Sequence, residues 1–155
     1  MRWQDIDQQP CSVARTLAII GDNWTLLVLR DCFLGVRRFD QFQQRLGVTR
    51  HVLSDRLRKL LDGGILEKVA YQQRPLREEY RLTDKGRALY PVIVHLAQWG
   101  DKYLADTHGA PITRIHTSCG EPLDAVLQCS HCGDTVGPRD IRIEENPRWR
   151  GKILP

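Results

Sequence analysis

The chain has 155 residues, 41% of them apolar and 27% charged, with a formal net charge of +4 at pH 7. That composition suits one domain of ordinary size plus an appendage, and no apolar run is long enough to cross a bilayer. So small an overall excess of positive charge does not by itself indicate a nucleic-acid partner.

The opening residues MRWQDIDQQP lack the apolar stretch of a secretion signal, so the chain is expected to be cytoplasmic. In a reducing compartment its five cysteines read as thiols or metal ligands, not as a disulfide framework. A first helix is expected over Cys11–Ile20, with Val13, Leu17 and Ile20 on one face and Gly21 closing it. Asp22 or Asn23 can cap a second helix from Trp24 to Phe33. Its centre, Leu26-Leu27-Val28-Leu29, is apolar all round, which places it at the middle of the domain. Val36-Arg37-Arg38-Phe39 reads as a short extended piece.

Asp40 to Leu46 is a short helical pattern, followed by a tight Gly47-Val48 turn. Thr49 then suits an N-cap. Leu53, Leu57, Leu60 and Leu61 form an apolar stripe, with His51, Asp55, Arg58 and Asp62 opposite, and Gly63-Gly64 ends the helix. Two short helices around a glycine turn, the second amphipathic and basic, suggest a helix-turn-helix. Between Val36 and Arg81 eleven basic residues face six acidic ones. This net +5 exceeds the whole chain's excess and is the footprint expected of a DNA-phosphate surface.

After Gly64 the period changes. Ile65 to Tyr71 reads as a strand, 72–77 as a loop with Arg74 and Arg77, and Glu78 to Leu82 as a returning strand. A hairpin directly after a helix-turn-helix makes a winged helix. Thr83 can cap a helix from Asp84 to about Asp106, roughly 35 Å long at 1.5 Å per residue, with a kink near Leu89–Tyr90 caused by Pro91. Leu89, Val92, Leu96, Trp99 and Tyr103 alternate spacings of three and four. Such a seam, on a helix too long for a small domain to cover, predicts a homodimer.

His108-Gly109-Ala110-Pro111 opens a second module. It contains His116-x-x-Cys119-Gly120 and Cys129-x-x-Cys132-Gly133. Two residues between ligands let both reach one metal, and the following glycine permits the tight turn. Zn²⁺ takes four N or S ligands, and His116, Cys119, Cys129 and Cys132 supply four, which leaves no open position and makes the expected ion structural. A module of about 40 residues with few apolar side chains needs such a clamp. A redox pair of Cys129 with Cys132, His131 ligating in place of His116, and a vestigial site stay open as alternatives. Cys32 on the apolar helix reads as a small core residue. Cys11, at a helix N-terminus, is a candidate reactive thiol or an unreactive capping-region cysteine.

Cys11-Ser12-Val13-Ala14, Ile20-Gly21-Asp22-Asn23-Trp24-Thr25, Arg38-Phe39, Leu53-Ser54-Asp55-Arg56-Leu57 and Glu79-Tyr80-Arg81-Leu82-Thr83-Asp84-Lys85-Gly86 resemble the HxlR-type winged-helix regulators of bacteria, over roughly residues 10 to 106. The resemblance implies a homodimeric transcription factor joined through its first and last helices. It also implies a palindrome-like operator, with the second helix of the turn motif in the major groove and the wing beside the minor groove. Some members sense oxidants through a cysteine at the position of Cys11; here Ser12 stands where the family commonly has proline. The tail lies outside the resemblance.

The expected architecture is mainly α with a small β-hairpin wing, over 10–107, then a zinc-ribbon-like module over 108–145 and a polar tail over 146–155. The expected function is a DNA-binding regulator, most simply a repressor. Thr49, Arg50, His51 and Ser54 would read bases. Arg56, Arg58 and Lys59 would meet phosphates or pack at the helix flank, and Arg37, Arg38, Arg74 and Arg77 would position the duplex. A protein-interaction module docking through the ribbon, with DNA binding secondary, is the alternative. The nucleophile elbow, Walker loop, dinucleotide fingerprint and H-E-x-x-H helix are all missing from the sequence, which argues against an enzyme.

Overall fold

The computed structural model describes residues 3–149. Most of the polar tail expected at 146–155 therefore lies outside the described residues; of it, Pro147–Trp149 form a 3-10 turn. The described elements fall into two compact units, one up to Ile93 and one from Val94 onward. The division lies inside the last helix.

The first unit begins with a 3-10 turn, Trp3–Gln8. Helix α1 is Ser12–Ile20, with Cys11 at its N-cap in extended conformation. Helix α2, Thr25–Phe33, is capped by Asp22, whose carboxylate accepts from the backbone N–H groups of Trp24 and Thr25 and from the Thr25 hydroxyl. Val28, Leu29 and Thr25 are fully buried, so α2 is the centre of the domain, as its apolar run implies.

Helix α3 is Phe39–Leu46, and Gly47 terminates it in the left-handed conformation at φ 65°. Helix α4 is Arg50–Asp62, with the Thr49 hydroxyl accepting from the Val52 N–H. Leu53, Leu57 and Leu60 are buried and Leu61 packs beside them. The end of α4 is a Schellman motif: Ile65 N–H donates to Leu60 and Gly64 N–H to Leu61, with Gly64 left-handed at φ 65°.

The wing is an antiparallel pair, β1 (Leu66–Gln73) and β2 (Leu76–Leu82). Pairing continues to Gln73 opposite Leu76, so only Arg74 and Pro75 turn the chain. The expected loop over 72–77 is thus mostly strand. Most of its residues are polar and Leu76 is 62% exposed, so both faces near the tip are wet and no alternation marks them. A register irregularity falls at Tyr71, between Ala70 and Gln72. The extended segment before α3 joins the wing through Tyr80 N–H to Arg37 O, 2.8 Å.

The long last helix of the sequence reading is two helices. Helix α5 is only Asp84–Arg87 and helix α6 is Tyr90–Tyr103. Pro91 has no N–H and its ring collides with a carbonyl four residues back, so it sits in the first turn of α6, where a free N–H is lost anyway. Leu89 falls between the helices and packs on the core. It therefore leaves the expected seam, which now runs from Val92 through Leu96 and Trp99 to Tyr103, all exposed.

Thr83, Lys85 and Gly86 bind the hairpin to the end of α4. The Thr83 hydroxyl donates to Gly64 O (2.7 Å) and accepts from Gly86 N–H (3.0 Å), and Lys85 Nζ donates to Gly63 O (2.7 Å). A Cβ on Gly86 would come within 2.2 Å of the Ile65 carbonyl oxygen. Gly86→Ala is therefore expected to cost about 1–3 kcal/mol through overpacking against backbone. A denaturant midpoint equal to that of the wild type would refute this close approach.

Candidate nucleic-acid interface

Helix α4 presents its first turn and its polar face outward. Thr49, Arg50 and His51 are exposed and Ser54 is half-buried. Arg50 lies back over α3: its guanidinium reaches Asp40 at 3.4 Å and Gln43 at 3.3 Å and stacks 4.7 Å over the Phe39 ring. His51 Nε2 and Arg58 Nη2 both approach the Asp55 carboxylate, at 3.4 and 3.0 Å.

Arg56 is different. It turns inward to Asp22, 3.1 Å away, as does Lys59 at 3.4 Å. The Arg56 contact is ionic, since its Nε has no hydrogen-bond geometry to any acceptor. This half-buried group ties α4 to the cap of α2. At the other end of α2, Asp31 is fully buried. Its carboxylate accepts from Arg45 Nε at 3.2 Å and Nη2 at 3.3 Å, and from Arg30 Nε at 3.0 Å. Arg45 belongs to α3. Both helices of the turn motif are therefore fastened to α2 by ionic contacts.

On the wing side, Arg37 reaches Glu79 at 3.7 Å, where Arg81 also binds at 2.6 Å. The Arg38 guanidinium lies 4.5 Å over the Tyr71 ring. Arg74 and Arg77, on either side of the wing tip, are exposed. The sequence-predicted cations thus divide into three groups: Arg37 and Arg38 with the wing, Arg50, Arg56 and Arg58 held on α3, α2 or α4, and Arg74 and Arg77 at the tip. Sequence reasoning did not foresee the second role of Asp22. Its position before α2 marks a cap, but nothing local announces partners more than thirty residues further on.

Among the cysteines, Cys11 is half-buried at the start of α1. Burial, and after it the adjacent Asp31 carboxylate, push the Cys32 thiol up to about 12. In the second unit, His116 Nδ1 and Cys119 Sγ are 3.3 Å apart. Cys129 is held below the ordinary thiol range by backbone N–H groups of Cys132 and His131 and by the Cys132 side chain. The four expected ligands stand as two pairs. Among the described residues, no three His, Cys, Asp or Glu side chains gather at one metal-sized point.

A family model described as HxlR-like helix-turn-helix matches residues 19–108. A protein of Mycobacterium tuberculosis named as an uncharacterized HTH-type transcriptional regulator, Rv3095, is 46% identical over 142 residues, which is 92% of this chain and 90% of the relative. The crystal structure of PA1607 superposes with a TM-score of 0.81 at 35% identity, over 90% of this chain and 98% of the other. The redox regulator HypR in its oxidized form gives a TM-score of 0.57 at 33% identity, over 63% of this chain and all of that one.

The Asp22 contacts have a measurable pH signature. Burial alone raises its pKa, but the Thr25 hydroxyl, the two N–H groups and Arg56 outweigh it and hold the carboxyl below its ordinary 3.8. A lowered folded pKa contributes stability that is present above the unfolded value, about 3.9, and is lost as pH falls through the folded one. Asp22→Asn is expected to be less stable than wild type at pH 7, with the gap closing as the pH falls below the unfolded value and through the lowered folded one. Denaturant titrations across that range that show a constant gap would rule out the assignment.

Proposed function

Because the chain belongs to the HxlR-like helix-turn-helix family of DNA-binding transcriptional regulators, we propose that it acts as a homodimer on a palindrome-like operator and represses by excluding polymerase. The observation that carries this reading is the arrangement of cations. The outward face of α4 carries Thr49, Arg50, His51 and Ser54, and the wing beyond it ends in Arg74 and Arg77, whose side chains have no ion-pair or hydrogen-bond partner among the described residues. The helix enters the major groove and the wing-tip arginines take phosphates. Arg37 and Arg38 position the duplex beside the wing. Arg58 on α4 meets phosphate by exchanging its surface contact to Asp55, whereas Arg56 stays with Asp22. The dimer reading draws on exposed apolar side chains of α6, Trp99 (57%) and Tyr103 (61%), and on Val13 of α1 (67%). Such side chains mark association surfaces when they are contiguous. No helix of the described residues is long and apolar enough to cross a membrane, and a cytoplasmic site of action follows from this function.

Selection of genomic fragments by the purified chain supplies the operator. Arg74→Ala with Arg77→Ala is then expected to weaken binding alike on operator and random DNA. Each lost phosphate contact lowers the log K against log salt slope by about 0.9. Ser54→Ala with His51→Ala is expected to shrink the ratio of specific to non-specific affinity, each bidentate or close base contact being worth about 1–3 kcal/mol. Specific binding untouched by all four changes would defeat the assignment of this face, and a single chain per half-palindrome pair would defeat the dimer.

Control by thiol oxidation belongs to the same reading, given the similarity to a protein named as a redox regulator. With its thiol at about 12, Cys32 stays protonated near pH 7 and is a poor nucleophile. Within the first unit the reaction therefore falls to Cys11, whose thiolate takes an oxygen from a peroxide to give a sulfenic acid and water or an alcohol. Peroxide is expected to change the operator affinity of wild type and of Cys32→Ser but not of Cys11→Ser. An unchanged response in Cys11→Ser would remove the role.

A further inference from the structure

The C-terminal unit repeats one small motif twice, thirteen residues apart. In the first copy His116 N–H donates to Glu121 O, Gly120 N–H to His116 O, and Leu123 N–H to Arg114 O. In the second, Cys129 N–H donates to Asp134 O, Gly133 N–H to Cys129 O, and Val136 N–H to Leu127 O. The bridges Ile115–Pro122 and Gln128–Thr135 correspond in the same way. Gly120 and Gly133 both take left-handed backbone, φ 78° and 80°. Each turn therefore carries two ligand-type side chains at its first and fourth positions, His116 with Cys119 and Cys129 with Cys132.

Two further observations say what these turns are for. His116 Nδ1 and Cys119 Sγ are 3.3 Å apart, near the edge of about 3.5 Å expected between N and S donors of a tetrahedral zinc with Zn–N about 2.0 Å and Zn–S about 2.3 Å. And no residue from Leu104 to Arg148 is buried. Ile115, Val126, Leu127, Ile141 and Ile143 are each more than half exposed. Two hydrogen-bonded turns without a core between them do not hold each other by apolar burial, and a segment of that size needs a cross-link or a metal.

We propose that His116, Cys119, Cys129 and Cys132 together bind one structural Zn²⁺ ion per chain, each duplicated turn contributing half of the ligand set. The two pairs are separate in the structure, and a shared ion supplies the closure that packing does not. The segment between the turns is tied to α6: Gln98 Nε2 donates to Asp124 Oδ1 at 2.7 Å and to Ala125 O at 3.1 Å, and Ala125 N–H donates to Gln98 Oε1 at 2.9 Å. Metal loading thereby also orders the backbone that leans on the second half of α6. The site is independent of DNA binding, so neither reading stands or falls with the other.

The test is metal analysis of the full chain purified under reducing, chelator-free conditions, followed by replacement with Co²⁺. The expected result is one zinc per chain and, with Co²⁺, intense tetrahedral d–d bands and a thiolate charge-transfer band. Cys129→Ser with Cys132→Ser is expected to lose the ion, whereas His116→Cys and His131→Ala keep it. Amide exchange at Gly120, Gly133 and Ala125 is expected to slow at least tenfold on loading. Zinc below one tenth per chain, two ions per chain, loss of the ion in His131→Ala, or a Cys129–Cys132 disulfide in the reduced preparation would each overturn the proposal.

Discussion

The helix-turn-helix is held in place by two carboxylates at opposite ends of α2. Asp22 caps that helix and reaches Arg56 and Lys59 of α4, while the buried Asp31 takes Arg45 of α3. The leucines of α4 supply most of the burial and set which side of the helix faces the core. The carboxylates add contacts at fixed places: hydrogen bonds from Arg45 at Asp31, and an ionic contact from Arg56 with a hydrogen bond from Lys59 at Asp22. The apolar stripe decides that α3 and α4 pack on α2. It also leaves the opposite face of α4 outward, and the two carboxylates tie that arrangement to the ends of α2.

The same contrast sorts the cations by availability. Arg50 pairs with Asp40, whose side chain is 87% exposed, and Arg58 pairs with Asp55 on the surface. Exposed pairs of this kind are worth about 0–1 kcal/mol, so a phosphate can replace the carboxylate at little cost. Arg56 is committed to a carboxylate that is largely buried and has four other donors around it. Releasing it would give up a contact to a carboxylate whose side chain is only 16% exposed, which the surface pairs do not require. Proximity in sequence to the recognition turn is therefore a poor guide to which arginine is free of a structural partner.

Elements with an apolar period or a local terminator were legible in the sequence. Helices α1 to α4, the glycine stop at Gly64 and the hairpin all follow from features within a few residues of each element. What was not legible depended on distant atoms or on wet surface. The outer half of the wing is polar on both faces, so its pairing left no alternation to read. Gly86 lies in the motif that resembles the family, but the reason for a glycine there, the Ile65 carbonyl, is contributed by a different strand end. The spacing over 89–103 is real, yet Pro91 and the intervening turn divide it, and Leu89 went to the core.

That division gives α6 a clear allocation of faces. At about 100° per residue, Gln98 and Asp101 share one side of the helix, and these are the residues that hold Ala125 and Arg114 of the C-terminal unit. Val92, Leu96, Trp99 and Tyr103 fall on the opposite side and remain exposed. The side of Gln98 and Asp101 also carries Val94, with Ile93 beside it, and both are buried. The second apolar row of this 14-residue helix, from Val92 to Tyr103, is left outward. The extension thus holds the helix through Gln98 and Asp101 and leaves the row from Val92 to Tyr103 exposed.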